Sequence, residues 1–176
     1  EDALTLTVAG NATAETVTVA KNLTATVKSL TVTDKLDVEG NATITATENI
    51  EAKVVEIAGT ADIDAASATI DSLTVTGEAN VTTTADLTVK NGSFGADATI
   101  SVGGNAKVDE LSVAGESDID VTGNFETVNA TLTGVADVNV KGNFTATTVT
   151  AEDALTLTVA GNATAETVTV AKNLTA

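Results

Sequence analysis

The chain contains no cysteine, proline, methionine, tryptophan, tyrosine, histidine, arginine or glutamine. Without cysteine there is neither a disulfide nor a thiolate metal site, and the redox compartment stays open. The missing proline suits a backbone whose groups mostly join hydrogen-bonded ladders. Losing His, Cys, Arg and Tyr removes the usual acids, bases, nucleophiles and oxyanion donors. Carboxylates and lysines remain, but no long loop is available to build a water-excluding cleft, so the chain is not expected to be an enzyme. Positive charge is scarce. Eight lysines face 25 acids, a net charge of −17. That argues against nucleic acid as a partner and against adsorption to anionic membranes. There is no 18-residue apolar run, so no membrane insertion by a helix is expected. No secretory leader is visible, and an internal fragment would not show one.

What is present is a copy. Residues 1–25 read EDALTLTVAGNATAETVTVAKNLTA, and residues 152–176 read the same string. The identity extends to exposed Thr, Glu and Lys positions that packing does not dictate. The chain is therefore read as a window on a tandem array, with a repeat unit 1–151 and a second copy starting at 152. A finer period lies inside the unit. Segments begin at Asn11, Leu30, Asn49, Ala68, Asp86, Asn105, Asn124 and Asn143, and the next begins at Asn162. Seven hold 19 residues and the one from Ala68 to Ala85 holds 18, so one unit is eight whole rungs. A whole number of rungs can be joined to itself without loss of register.

Each rung has an 11-residue and an 8-residue part, as in NAKVDELSVAG followed by ESDIDVTG. In the short part the second, fourth and sixth residues are apolar, for example Leu155, Leu157 and Val159. In the long part the seventh and ninth are apolar (Leu111 and Val113), and usually the second and fourth (Ala106 and Val108). Alternation with period two marks a strand with one buried face, and Val, Ile and Thr enrichment agrees. Gly closes both parts and Asn often follows. These residues tolerate positive φ, which a corner between strands is expected to need. The expected fold is all-β: a parallel β-solenoid with three short strands per rung of about 19 residues and strands ~4.8 Å apart. The segment 1–176 reads as one continuous domain. LTVTDK at Leu30 inverts the alternation and Gly92 falls on an inward position; both are expected to be local bulges. Phe125 and Phe144 share an inward position in adjacent rungs and should stack as core. Glu1 and Asp2 finish a long part and Ala176 stops within a short one. An uncapped solenoid end is an open sheet edge that invites pairing, so continuation or capping is expected.

Outward residues of the short strand form two columns: Thr24/Thr26, Thr43/Thr45, Asp62/Asp64, Asn80/Thr82, Thr99/Ser101, Asp118/Asp120, Asp137/Asn139 and Thr156/Thr158. The plain reading is a solvated face. A second is calcium: Asp118, Asp120, Asp137 and Asn139 lie on neighbouring rungs, and a hard cation such as Ca²⁺ prefers oxygen ligands. The spacing matches neither an EF-hand loop nor the Gly-Gly nonapeptide calcium solenoid. A third is ice binding by a Thr-X-Thr lattice, which the Asp pairs interrupt. Asn-X-Ser/Thr acceptor patterns for N-glycosylation occur at Asn11, Asn22, Asn41, Asn80, Asn91, Asn129 and Asn143, and again at Asn162 and Asn173 in the second copy. A corner Asn followed by an outward Thr yields the same pattern without any glycan.

The 19-residue rung, the Val/Leu/Ala/Thr/Gly/Asn alphabet and phrases such as VTGNFETVNATLTG and VKGNFTATTVT resemble the β-solenoid shafts of filamentous-haemagglutinin-type surface adhesins. The resemblance implies a right-handed coil, export to the cell surface, and a role in attachment or matrix. It carries over no functional residue. The bactofilins, cytoplasmic β-helix polymers, are a second similar family, though they are single short domains without a 151-residue tandem copy. Eight unequal rungs speak for an evolved rather than a designed coil. The expected function is the shaft of an extracellular fibre whose partners are further copies of its own repeat, other cells or matrix. A calcium-linked or ice-facing binding module on a β-solenoid is the alternative, and a cytoplasmic bactofilin-like polymer the second.

Overall fold

The computed structural model describes residues 3–176; Glu1 and Asp2, read as the end of a long part, lie outside them. Every element among the described residues is a strand, and every strand pairing is parallel. Short strands are β1 (Leu4–Thr7), β3 (Leu23–Val27), β7 (Ala79–Thr83), β9 (Ala98–Val102), β11 (Ser117–Val121), β13 (Ala136–Val140), β15 (Leu155–Val159) and β17 (Leu174–Thr175). Long strands are β2 (Asn11–Val19), β4 (Ser29–Val38), β8 (Leu87–Phe94), β10 (Ala106–Val113), β12 (Phe125–Leu132), β14 (Phe144–Ala151) and β16 (Ala163–Val170). In β5 (Ala42–Ile57) and β6 (Ala61–Val75) the two parts run on without a break.

Each strand pairs with the equivalent strand one turn later, which makes a β-solenoid of about nine turns. Long strands bend in the middle. In β10 the pairing passes over Asp109, and Asp109 and Glu110 are two consecutive residues that both stay out of the core. The same skip recurs at Val128 and Thr147. One short flat and two half-strands therefore give three flats per turn, as the alternation predicts.

Through the middle of the coil the inward positions read from sequence are the buried ones, while Leu157 and Val159 in β15 are only partly buried. Ser117, Ile119 and Val121 face in along β11, and Ala106, Val108, Leu111 and Val113 along β10. Side chains stack by column, and volume is balanced within a turn. Phe125 shares its turn with Thr127 and Ala130, and Phe144 shares its turn with Ala146 and Ala151. The two rings stack as expected, with centroids 5.6 Å apart and planes tilted by 57°. The side-chain hydroxyls of Ser117 and Thr127 are buried without a hydrogen-bond partner.

Three expectations need correction. First, the segments expected to start at Leu30 and Ala68 start one residue earlier: Asn11 pairs with Ser29, and Asn49 with Ser67. One extra residue at Thr33/Asp34 then bulges β4, and another at Thr47/Glu48 extends the corner inside β5. This displaced start is why the alternation looked inverted at Leu30. Second, Gly92 is not a bulge. Its register to Leu73 below and Leu111 above is unbroken. The missing side chain makes room for the ring of Phe94, whose Cε2 lies 3.5 Å from where a Cβ on Gly92 would stand. A void of about 10 Å³ remains beside them. Third, no described residue, glycine included, has positive φ. The corner glycines are there for close approach. A Cβ on Gly123 would lie 2.5 Å from the Gly104 carbonyl oxygen, and one on Gly142 2.4 Å from that of Gly123.

Candidate functional site

The outward face of the short strands begins with apolar alternation, which turns Ile119 and Val138 inward and so projects the residues on either side of them into solvent. Parallel register then stacks the projections. Asp118 stands opposite Asp137 and Asp120 opposite Asn139 in β11 and β13, so the four residues read as calcium ligands do share one patch on adjacent turns. The Asp118 carboxyl is pushed above the ordinary Asp value, first by partial burial and then by the charges of Asp120 and Asp137. Among the described residues, no group of three carboxylates stands close enough to hold a metal ion. Beside this patch runs a shallow groove, open to solvent, lined by Thr82, Ser101, Asp120, Thr122, Asn139 and Lys141. The threonine lattice is present further down: Thr5/Thr7, Thr24/Thr26 and Thr43/Thr45 stack in register over three turns before Asp62 and Asp64 end it.

The corners carry an arrangement that sequence reasoning missed. Asn side chains form ladders along the coil. Asn124 donates its backbone N–H to Asn105 Oδ1 at 3.0 Å, Asn143 to Asn124 at 2.9 Å and Asn162 to Asn143 at 2.9 Å. Asp86 starts this ladder by accepting from the Asn105 N–H at 2.7 Å. A second ladder links Asn41 to Asn22 and Thr60 to Asn41, each at 3.0 Å. In the first ladder the glycine before each Asn bonds in parallel, with Gly123 N–H donating to Gly104 O at 2.7 Å and Gly142 N–H to Gly123 O at 3.0 Å. The signal was in plain view as the Gly-Asn pair at 104–105, 123–124, 142–143 and 161–162. It encodes bonds between turns and no unusual φ.

The ladders bear on the glycosylation candidates. Asn22, Asn41 and Asn143 engage only Oδ1, the amide oxygen. Asn80, Asn91 and Asn129 donate from Nδ2, the atom that would carry a glycan: to Asp62 at 3.1 Å, to the Asp71 carbonyl at 3.5 Å and to Glu110 at 2.9 Å. Asn11 is exposed.

Charges are also paired along the axis. Lys28 meets Glu48, Lys35 meets Glu56, Lys53 meets Asp34, Lys90 meets Asp71, Lys107 meets Glu126 and Lys172 meets Asp153, each across adjacent turns. Lys35 and Lys107 have raised pKa values, chiefly from hydrogen bonds to Glu56 and Glu126, and Asp153 is lowered by its bond from Lys172. Solvent screens these exposed pairs, so each contributes little by itself. Taken together, these contacts bind one turn to the next.

No protein-family model, no curated protein and no solved structure matches this chain. The likeness to haemagglutinin-type shafts thus stands at the level of the coil: the chain is a parallel β-solenoid compatible with a β-helix fibre.

Proposed function

We propose that the chain is the structural shaft of an extracellular fibre: an adhesin stalk, matrix filament or sheath component. The observation that carries this reading is the tandem copy at an offset of eight whole rungs, because only a coil whose use depends on its length gains from such a duplication. The ladders at the corners and the inter-turn ion pairs support it, since both run along the axis. On this reading the partners are further copies of the repeat, with other cells or matrix at the fibre's surface. The shaft acts through no catalytic site and needs no cofactor. An antibody against the chain should label intact source cells as strongly as permeabilised ones, on filaments that diffract at ~4.8 Å along their axis. Label confined to permeabilised cells would overturn the extracellular assignment and favour a cytoplasmic, bactofilin-like polymer.

A further inference from the structure

The groove beside the acidic patch is built by register. Thr82 pairs with Ser101, Ser101 with Asp120, and Asp120 with Asn139, which stacks four outward side chains on successive turns. Pairing continues past the strand ends. Thr122 N–H donates to Val102 O at 2.8 Å and Lys141 N–H to Val121 O at 2.9 Å, so Thr122 and Lys141 form a second line beside the first. Gly103, one turn below Thr122, adds no side chain to that line. The groove has a volume of about 590 Å³, within the ~300–1,000 Å³ of ordinary ligand sites. Two features set it apart. Its polar side chains are unsatisfied within the protein. Asn80 and Asn129 donate to carboxylates of the turn below, yet Asn139, opposite Asp120, makes no side-chain bond, and neither do Thr82, Ser101 and Thr122. Six other lysines each hold a carboxylate on an adjacent turn, whereas Lys141 holds none among the described residues. The second feature is charge. With one acid, Asp120, and one lysine, Lys141, the lining is neutral on a coil of net charge −17.

We propose that this groove binds a glycan that carries a hexuronic acid. One such ring presents a carboxylate beside hydroxyls, the set that the lining leaves unmet. Lys141 takes the carboxylate, Asp120 accepts from ring hydroxyls, and Asn139 both donates and accepts. Ser101 and Thr82 meet the sugars that follow. A simple carboxylate would leave Asp120 and the hydroxyls without partners, and a neutral sugar would leave Lys141 without one. Length agrees as well. The four stacked side chains span three steps of ~4.8 Å, and a pyranose ring advances an extended chain by about one such step. The proposal goes beyond the shaft reading and stands without it. On that reading the groove recurs every eight turns, so weak single contacts would add along the fibre.

The test titrates the nitrogen-15-labelled chain with tri-galacturonate and follows amide shifts. The groove lies outside the duplicated 25 residues, so its signals are unique in the sequence. Saturable shifts are expected at Ser101, Asp120, Thr122, Asn139 and Lys141, with none at Thr24 and Thr43 on the same flat. Maltotriose, a neutral chain of the same length, should bind more weakly, and sodium acetate at equal concentration should not reproduce the shifts. Lys141→Gln should weaken tri-galacturonate about fivefold and leave maltotriose unchanged, while Lys141→Arg should restore most of the loss. Asn139→Ala should weaken both sugars. All three side chains are exposed, so circular dichroism of the variants should match the parent. Absence of saturable shifts in the groove, equal shifts with acetate or maltotriose, or affinity indifferent to Lys141→Gln would each overturn the proposal. None of these results bears on the shaft reading, which the cell-surface label decides.

Discussion

Gly123→Ala isolates what holds the corners together. Alanine is allowed at this backbone conformation, since φ is not positive, and on chain entropy alone the change would stabilise by ~0.4–1 kcal/mol. The new Cβ would, however, stand 2.5 Å from Gly104 O and 2.7 Å from Asn105 Oδ1. Backbone on both sides must shift. Two bonds meet at this point: Gly123 N–H to Gly104 O at 2.7 Å and Asn124 N–H to Asn105 Oδ1 at 3.0 Å. Losing them costs ~1 kcal/mol each, and forcing the overlap costs a further ~1–3 kcal/mol. After the entropy gain the net loss is about 2–4 kcal/mol.

Two further glycines extend the comparison. A Cβ on Gly142 would stand 2.4 Å from Gly123 O, so Gly142→Ala should be as harmful as Gly123→Ala. At Gly92 a Cβ would sit 3.5–3.7 Å from Phe94, Val108 and Val89, an ordinary contact beside the void, so Gly92→Ala should stabilise by ~1 kcal/mol. Urea midpoints, with exchange to localise the effect, separate the three variants. A neutral Gly123→Ala, or equal harm from Gly92→Ala and Gly142→Ala, would refute close approach as the reason for the corner glycines.

Three other outcomes follow from the same geometry. Val138, 4% exposed, should lose several kcal/mol as Val138→Asp, whereas Thr158→Asp on the outward column should cost less than ~0.5 kcal/mol; equal urea midpoints would reverse the inward/outward assignment. Thr127→Val removes a buried hydroxyl that has no partner and should raise stability by ~1 kcal/mol in the same assay. Asp118 binds its proton more tightly in the fold than in the unfolded chain, where the ordinary value is 3.8. Stability is therefore lost as pH rises from 3.8 through the raised value. Asp118→Asn should raise the melting temperature at pH 7 and lose that advantage below pH 3.8; an advantage independent of pH would show that the charge is not the cause.

The coil was legible because one face of every strand is apolar and the period repeats. Leu111, Val113, Ile119 and Val121 announce their burial by alternation alone. The start of the second rung was misread because two insertions, at Thr33/Asp34 and Thr47/Glu48, compensate for early starts elsewhere. A fixed 19-residue cut averages over them, and pairing resolves them. Gly92 was misread because its reason lies in a neighbour: Phe94 fills the space that the glycine leaves. The Asn ladders were misread for a different cause. Sequence shows Gly-Asn recurring, but whether a corner residue serves its own φ or the N–H of the next turn is a three-dimensional fact. The acidic patch was legible as a column, because parallel register at a constant offset places Asp118 opposite Asp137. The distances between carboxylates depend on side-chain rotamers, which the spacing does not carry.

The charge plan complements the ladders. A net charge of −17 over about nine turns is close to two negative charges per turn. Successive turns stand ~4.8 Å apart, well inside the ~8 Å screening length at physiological salt, so neighbouring turns repel unless something offsets it. Along the axis the offset is specific. Lysines such as Lys35, Lys90 and Lys107 reach carboxylates on an adjacent turn, and continuous backbone bonds join each described turn to the one above. Between two coils lying side by side, like-signed net charge opposes approach. Cohesion thus runs along one direction and repulsion acts in the other two. On the proposed shaft reading, a chain with these properties is expected to lengthen without bundling.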